Sequence, residues 1–158
     1  MGIINYHPIR KIKDKYNIST FIETGTWKGD GIKSILNINF KQILSIDICK
    51  KHFKLNNKRF KKDKRVKLYI GDSGILLKKM LNKVSKDDNI LFWLDAHLPD
   101  LNGDEKKLPA DVIAPLEREI QLIKSCRDIS KDVFIIDDLR LYEYVSKPGF
   151  ENCHGPDY

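Results

Sequence analysis

The sequence predicts an α/β domain with a doubly wound, mostly parallel sheet. Short apolar runs alternate with segments of helical period along almost the whole chain, and right-handed crossovers turn that rhythm into a sheet covered on both faces. The runs in "NILFWLDAH" and "DVFIIDD" are apolar without alternation, as strands buried on both sides are. Five runs also end at their carboxyl side in an acid: Glu23, Asp47, Asp72, Asp95 and Asp137. Ligands of open parallel sheets bind beyond those strand ends, where strand order reverses. Helix capping explains one such acid easily and five in succession poorly.

"STFIETG" reads as the first strand and "GIKSILNI" as a helix, with Ile32, Ile35 and Leu36 at helical spacing. "KQILSIDI" is the second strand, ending at Asp47. The segment from Lys50 to Arg65 holds nine Lys or Arg and one acid, with Phe53 and Phe60 seven apart. That spacing predicts a helix with the two rings inward and the cations on its solvated side. "RVKLYIGD" is the third strand, and "SGILLKKML" a helix with a Ser73 cap and Leu76, Leu77 and Met80 inward. "NILFWLDAH" is the fourth strand, with Trp93 in the core. After the polar loop "LPDLNGDEKKLPAD", "DVIAPLEREIQLIKSC" reads as one helix capped by Asp111, burying Ile113, Leu116, Ile120 and Ile123. "DVFIIDD" is the fifth strand.

The 158 residues suit a single domain, 1–158. No run approaches the roughly 20 apolar residues of a membrane span, and the N-terminus turns polar too early for a signal peptide. Cys49, Cys126 and Cys153 are widely spaced and include no CxxC pair, which points to a cytoplasmic location rather than a disulfide or zinc framework. The net charge of +7 admits nucleic acid as a partner. A solvated helix face is the favoured reading of the cation run.

"FIETGTWKGDG" places three glycines within seven residues at a strand-to-helix junction, behind an acid. Gly25 turns the chain, while Gly29 and Gly31 are expected to let backbone approach a ligand. The Gly-Lys-Ser/Thr ending of a phosphate loop is absent, and E-x-G-x-x-x-G departs from the GxGxxG dinucleotide pattern. Glu23 repels phosphate but suits a cation such as S-adenosylmethionine (SAM), which carries sulfonium and ammonium groups and no phosphate. Asp47 would then accept the ribose hydroxyls, and "GDS" at Gly71 to Ser73 would meet the adenine edge.

With these positions the chain resembles the class I SAM-dependent methyltransferases, a seven-strand Rossmann-like group. "ETGTWKGDGI" looks like their first motif, "LSIDI" their second-strand acid and "IGDSGILL" their adenine-side motif. "ILFWLDAH" with "VFIIDDLR" resembles a branch related to metal-dependent sugar O-methyltransferases of the macrocin type. The likeness runs from about Asn17 to Tyr142. It implies cofactor contacts at Glu23, Thr24, Gly25, Thr26, Gly29, Asp47, Ile48, Gly71, Asp72, Ser73 and Asp95. Members usually continue past strand five into a helix and an antiparallel hairpin. The chain given ends soon after Tyr142, so the expectation is a sheet without those last strands, with an edge that a second subunit could cover.

Methyl transfer from sulfonium is an in-line displacement, so the protein must position the acceptor and help it lose a proton. Asp95, Asp137 and Asp138 would repel one another at neighbouring strand ends unless a cation lay between them. All-oxygen ligation points to Mg²⁺, with Mn²⁺ or Ca²⁺ admitted, and the resemblance places Mg²⁺ at the same positions. The competing reading is helix capping and ion pairing with Arg140. His97 stands where the family has a general base; a histidine bonded to loop backbone is the alternative. Trp27 could line the cofactor pocket. The loop after His97 is a candidate lid, and its acids break the EF-hand spacing at Gly103-Asp104. The expected function is SAM-dependent O-methylation of a sugar or glycan hydroxyl, assisted by a divalent cation. The alternatives are methylation of nucleic acid or protein, and a SAM-fold binding module without catalysis. "DAHLPD" stands where amino-group methyltransferases carry an Asn-Pro-Pro-Tyr-type signature, which weighs against base-nitrogen chemistry.

Overall fold

The computed structural model describes residues 4–97, 108–137 and 139. Its strands are β1 (Ile18–Thr24), β2 (Gln42–Asp47), β3 (Val66–Ile70), β4 (Asn89–Leu94) and β5 (Val133–Ile136). They form one parallel sheet in the order β3-β2-β1-β4-β5. The helices are α1 (Ile9–Lys15), α2 (Asp30–Ile35), α3 (Lys50–Phe60), α4 (Ser73–Leu81), α5 (Ala110–Ile113) and α6 (Leu116–Cys126).

Alternation along the strands sorts the core into two layers. Phe21, Ile43, Leu91 and Trp93 meet Ile32, Ile35 and Phe60 on one face. Ile22, Leu44, Phe92 and Leu94 meet Leu77, Met80, Leu116 and Ile123 on the other. Successive strands are added to one side of β1 up to β3 and to its other side from β4, so the switch point lies at the carboxyl ends of β1 and β4. The expected doubly wound architecture is present. Among the described residues no helix is long and apolar enough to cross a membrane.

Five local features differ from the sequence expectation. A 3₁₀ turn (Ile4–Tyr6) and α1 precede β1, and buried Ile4 and Ile9 complete the first layer. The helix expected over 111–126 is broken at Ala114 (φ −130°, ψ 77°). Pro115 causes the break, because it excludes helical geometry from the residue before it. Asp111 consequently sits in the first turn of α5 and pairs with Arg118 at 3.3 Å, rather than capping a long helix. Asp72, not Ser73, caps α4, accepting the Gly74 N–H at 2.8 Å.

The fifth difference concerns which side chains turn inward. On α3 the buried set is His52, Asn56 and Phe60, while Phe53 is half-buried. This helix packs against the glycine loop as well as the sheet, so polar groups turn inward. On α6, Glu119 is buried between Leu116 and Ile123, whereas Ile120 and, at the end of α5, Ile113 are half-buried. Trp93 is buried as expected.

Candidate functional site

Gly25 carries β1 into its turn with φ +82° and donates its N–H to the Ile46 carbonyl at 2.9 Å. A Cβ there would lie 2.5 Å from the Asp95 carbonyl oxygen, so β1 can cross the end of β4 only without a side chain. Gly29 also has a left-handed φ, +81°. The space it leaves is filled by the Asn56 amide and the Phe60 ring, and the space at Gly31 by the Glu23 carboxyl. Where the sequence led us to expect a ligand against these two glycines, the structure shows side chains of this chain.

Glu23 is 2% exposed and accepts a hydrogen bond from Ser45 Oγ at 2.5 Å; Ser45 in turn lies 2.6 Å from Thr26 Oγ1. Burial pushes the Glu23 carboxyl up to about 8, with the charges of Asp95 and Asp47 adding to the shift. Asp47 at the end of β2 accepts the Cys49 N–H (2.7 Å) on one oxygen and the Trp27 N–H (2.6 Å) on the other. His52 Nδ1 stands 3.5 Å from the second oxygen. Burial raises the Asp47 pKa, and these donors oppose the rise.

Asn56 Nδ2 donates to the Trp27 carbonyl at 2.7 Å. Asp47 and Asn56 thereby hold the glycine loop from both sides, with Trp27 itself at φ 45°. Asp47, Cys49 and His52 also bring an O, an S and an N donor within 4.8 Å of one another. That mixed set is unlike the all-oxygen shell of Mg²⁺.

Past β3, Gly71 donates to the Asp47 carbonyl at 3.0 Å. Asp72 spends one oxygen on the α4 cap and the other on Arg118 Nη2 at 3.0 Å. Ser73 is buried, and Ile48, just past β2, is half-buried. Behind Ser73 lies Glu119, 1% exposed, accepting from Thr24 Oγ1 at 3.3 Å, with Oε1 lacking a partner among the described residues. Burial pushes its carboxyl up to about 7. Sequence reasoning missed this group; the available signal was an acid inside the buried stripe of an otherwise amphipathic helix.

The adjacency of β4 and β5 brings Asp95 and Asp137 together. The Asp95 N–H donates to the Thr24 carbonyl and that of Asp137 to the Leu94 carbonyl, both at 3.1 Å. Trp93 Nε1 donates to Asp95 Oδ2 at 3.3 Å, and His97 Nδ1 lies 3.4 Å from Asp95 Oδ1. Burial, then the neighbouring Asp137, raises the Asp95 pKa. Asp137 Oδ2 is buried and has no hydrogen-bond partner among the described residues. An orphaned buried oxygen beside a second crowded carboxyl fits an oxygen-liganded cation. Asp138, Arg140 and residues 98–107 of the candidate lid lie outside the described residues. Asp95 is close enough to Glu23 to raise its proton affinity, and Asp137 does the same to Asp95, so the acids of β1, β4 and β5 gather at the switch point.

A scan of protein-family models finds no match, and a search of curated proteins finds none either. Solved structures do match. A candidate caffeoyl-CoA O-methyltransferase from Staphylococcus aureus superposes with a TM-score of 0.59 at 13% identity, covering 97% of this chain and 66% of that one. A precorrin 8w decarboxylase from Methanobacterium thermoautotrophicum gives 0.51 at 12% identity, covering 87% and 67%. An O-methyltransferase from Bacillus cereus in complex with SAH gives 0.49 at 13% identity, covering 72% and 49%. The chain thus spans about half to two thirds of the length of these structures. At such identities the likeness concerns the backbone, and one backbone serves more than one chemistry. By its five-stranded parallel sheet and strand order, this chain has the Rossmann-like fold of class I methyltransferases.

Proposed function

We propose that the chain is a SAM-dependent O-methyltransferase acting on a hydroxyl of a sugar or glycan, assisted by a divalent cation. The observation that carries this reading is the Asp95–Asp137 pair at the switch point, with its orphaned Asp137 Oδ2. SAM supplies a methyl group already activated on sulfonium, so the protein's task is orientation and proton removal. Asp95 and Asp137, with Asp138 as the third acid expected from sequence, would hold the cation, whose positive charge favours the ionised form of a bound hydroxyl.

The chain's own groups have simple parts to play. His97, with Nδ1 toward Asp95, would take the acceptor's proton on its other ring nitrogen. Asp95, 3.4 Å from Nδ1, would orient that imidazole. The Gly25 turn brings the β1 end against the Asp95 backbone, so a donor lying over the turn would stand next to the acceptor site. Thr24, Thr26, Asp47, Ile48, Gly71, Asp72 and Ser73 complete the proposed cofactor contacts, without Gly29, whose open side is filled by Asn56 and Phe60. Both Asp47 oxygens already accept backbone N–H groups, which favours one competitor, a SAM-fold module that binds a partner or polyanion and has lost catalysis.

Calorimetry with SAM, with and without Mg²⁺, tests the reading, together with methyl transfer to a panel of sugars. SAM binding is expected in both conditions and turnover with Mg²⁺ alone. Absence of SAM binding in both removes the enzyme claim, and binding without turnover favours the module. Asp137→Asn should abolish Mg²⁺-dependent turnover while leaving SAM affinity within about threefold, since a metal ligand is lost but no cofactor contact.

A further inference from the structure

We propose that the outer face of α3 is a docking surface for a single-stranded nucleic acid. The positive excess of the molecule is concentrated in this helix and the residues just after it. Of the chain's 29 Lys and Arg, nine fall between Lys50 and Arg65, leaving 20 elsewhere against 21 of the 22 acids. Lys50, Lys54, Lys58 and Lys61 follow one another at helical spacing and are exposed, which lines them along one stripe about 16 Å long. Arg59 pairs with Asp30 and Arg65 with Asp63, but the stripe lysines have no carboxylate partner among the described residues.

The helix bears this charge against its own stability. Its first turn contains no acid and begins with Lys50 and Lys51, the wrong sign for a helix N-terminus. Lys50–Lys54 and Lys54–Lys58 are like-charge i,i+4 pairs, each unfavourable by about 0.2–0.5 kcal/mol. A merely solvated face needs neither arrangement. A bound polyanion relieves both.

A phosphodiester strand fits the stripe better than a scattered acidic surface does. Successive stripe cations stand about 6 Å apart along the axis, close to every second phosphate of a stacked strand at about 3.4 Å each. Leu55, 50% exposed beside the stripe, and the half-exposed Trp27 next to α3 offer apolar surface to unpaired bases. The face is tied to the candidate site, because Asn56 and Arg59 on the same helix bond to the Trp27 and Lys28 carbonyls. This inference stands whether or not the methyltransferase reading does.

The test is fluorescence anisotropy of the full chain with a labelled 20-nucleotide single strand in KCl. At about −0.7 per phosphate contact, four stripe contacts predict affinity falling about 50-fold between 50 and 200 mM salt. The triple variant Lys54→Glu, Lys58→Glu, Lys61→Glu should bind at least about 30-fold more weakly. The corresponding Gln variants guard against loss of fold and should show a smaller loss in the same direction. The control Lys78→Glu, Lys79→Glu, Lys83→Glu changes net charge equally on exposed positions of α4 and beyond it, and should stay within about threefold. Three results would each overturn the proposal: salt-independent or absent binding, an equal loss in the α4 control, or tighter binding of heparin or of a duplex of the same length.

Discussion

Gly25 and Glu119 show how single residues of this chain answer to distant ones. At Gly25 the left-handed φ and the Asp95 carbonyl together exclude a side chain. Gly25→Ala is expected to lower unfolding free energy by about 2–4 kcal/mol, combining left-handed strain with displaced backbone; urea denaturation reads it directly. An unchanged midpoint would mean that the turn relaxes at no cost. Glu119 predicts a pH dependence. Its folded pKa is raised from 4.5 to about 7, so the folded state holds the proton more tightly than the unfolded chain does. Its contribution is therefore most favourable below pH 4.5, is lost as pH rises toward 7, and changes little above that. Glu119→Gln keeps the size of the group and removes the titration. The stability profile of that variant should be flatter across this window, by at most about 1.4 kcal/mol per pH unit.

At the scale of the element, α3 is the informative case. Its inner face carries His52 and Asn56 because the glycine loop presents backbone groups there, and an apolar face would leave those groups unpaired. Its outer face is electrostatically frustrated. Lys50→Glu places an acid at the positive end of the helix and opposite Lys54, so thermal stability should rise by about 0.5–1 kcal/mol. The same change should weaken oligonucleotide binding. A variant that is both more stable and an equally good binder would show that the lysine stripe is idle. The α5–α6 break teaches a smaller lesson: one proline, not the apolar period, decides where the second helix starts.

At the scale of the whole molecule, the strand order β3-β2-β1-β4-β5 gathers acids that lie up to 114 positions apart, Glu23 and Asp137, at one end of the sheet. That gathering is only useful if the switch point takes a ligand. SAM at a hundredfold excess over its dissociation constant should stabilise the fold by about 2.7 kcal/mol, seen as a concentration-dependent rise in Tm. A Tm independent of SAM would place the ligand elsewhere or nowhere.

The apolar runs and helical periods from Ile18 to Ile136 were enough to order the strands and helices, because burial of a strand face or helix stripe is written in local spacing. The acids at the strand ends were legible for the same reason: each follows its run directly. Only the tertiary structure decided what Gly29 and Gly31 accommodate, why Asn56 and Glu119 are buried, and which acid stands beside which. A buried polar group is stable only with a partner from another element, and pairings such as Asn56 with the Trp27 carbonyl or Glu119 with Thr24 span 29 and 95 positions. No local pattern encodes those distances; the packing of helices across the sheet does.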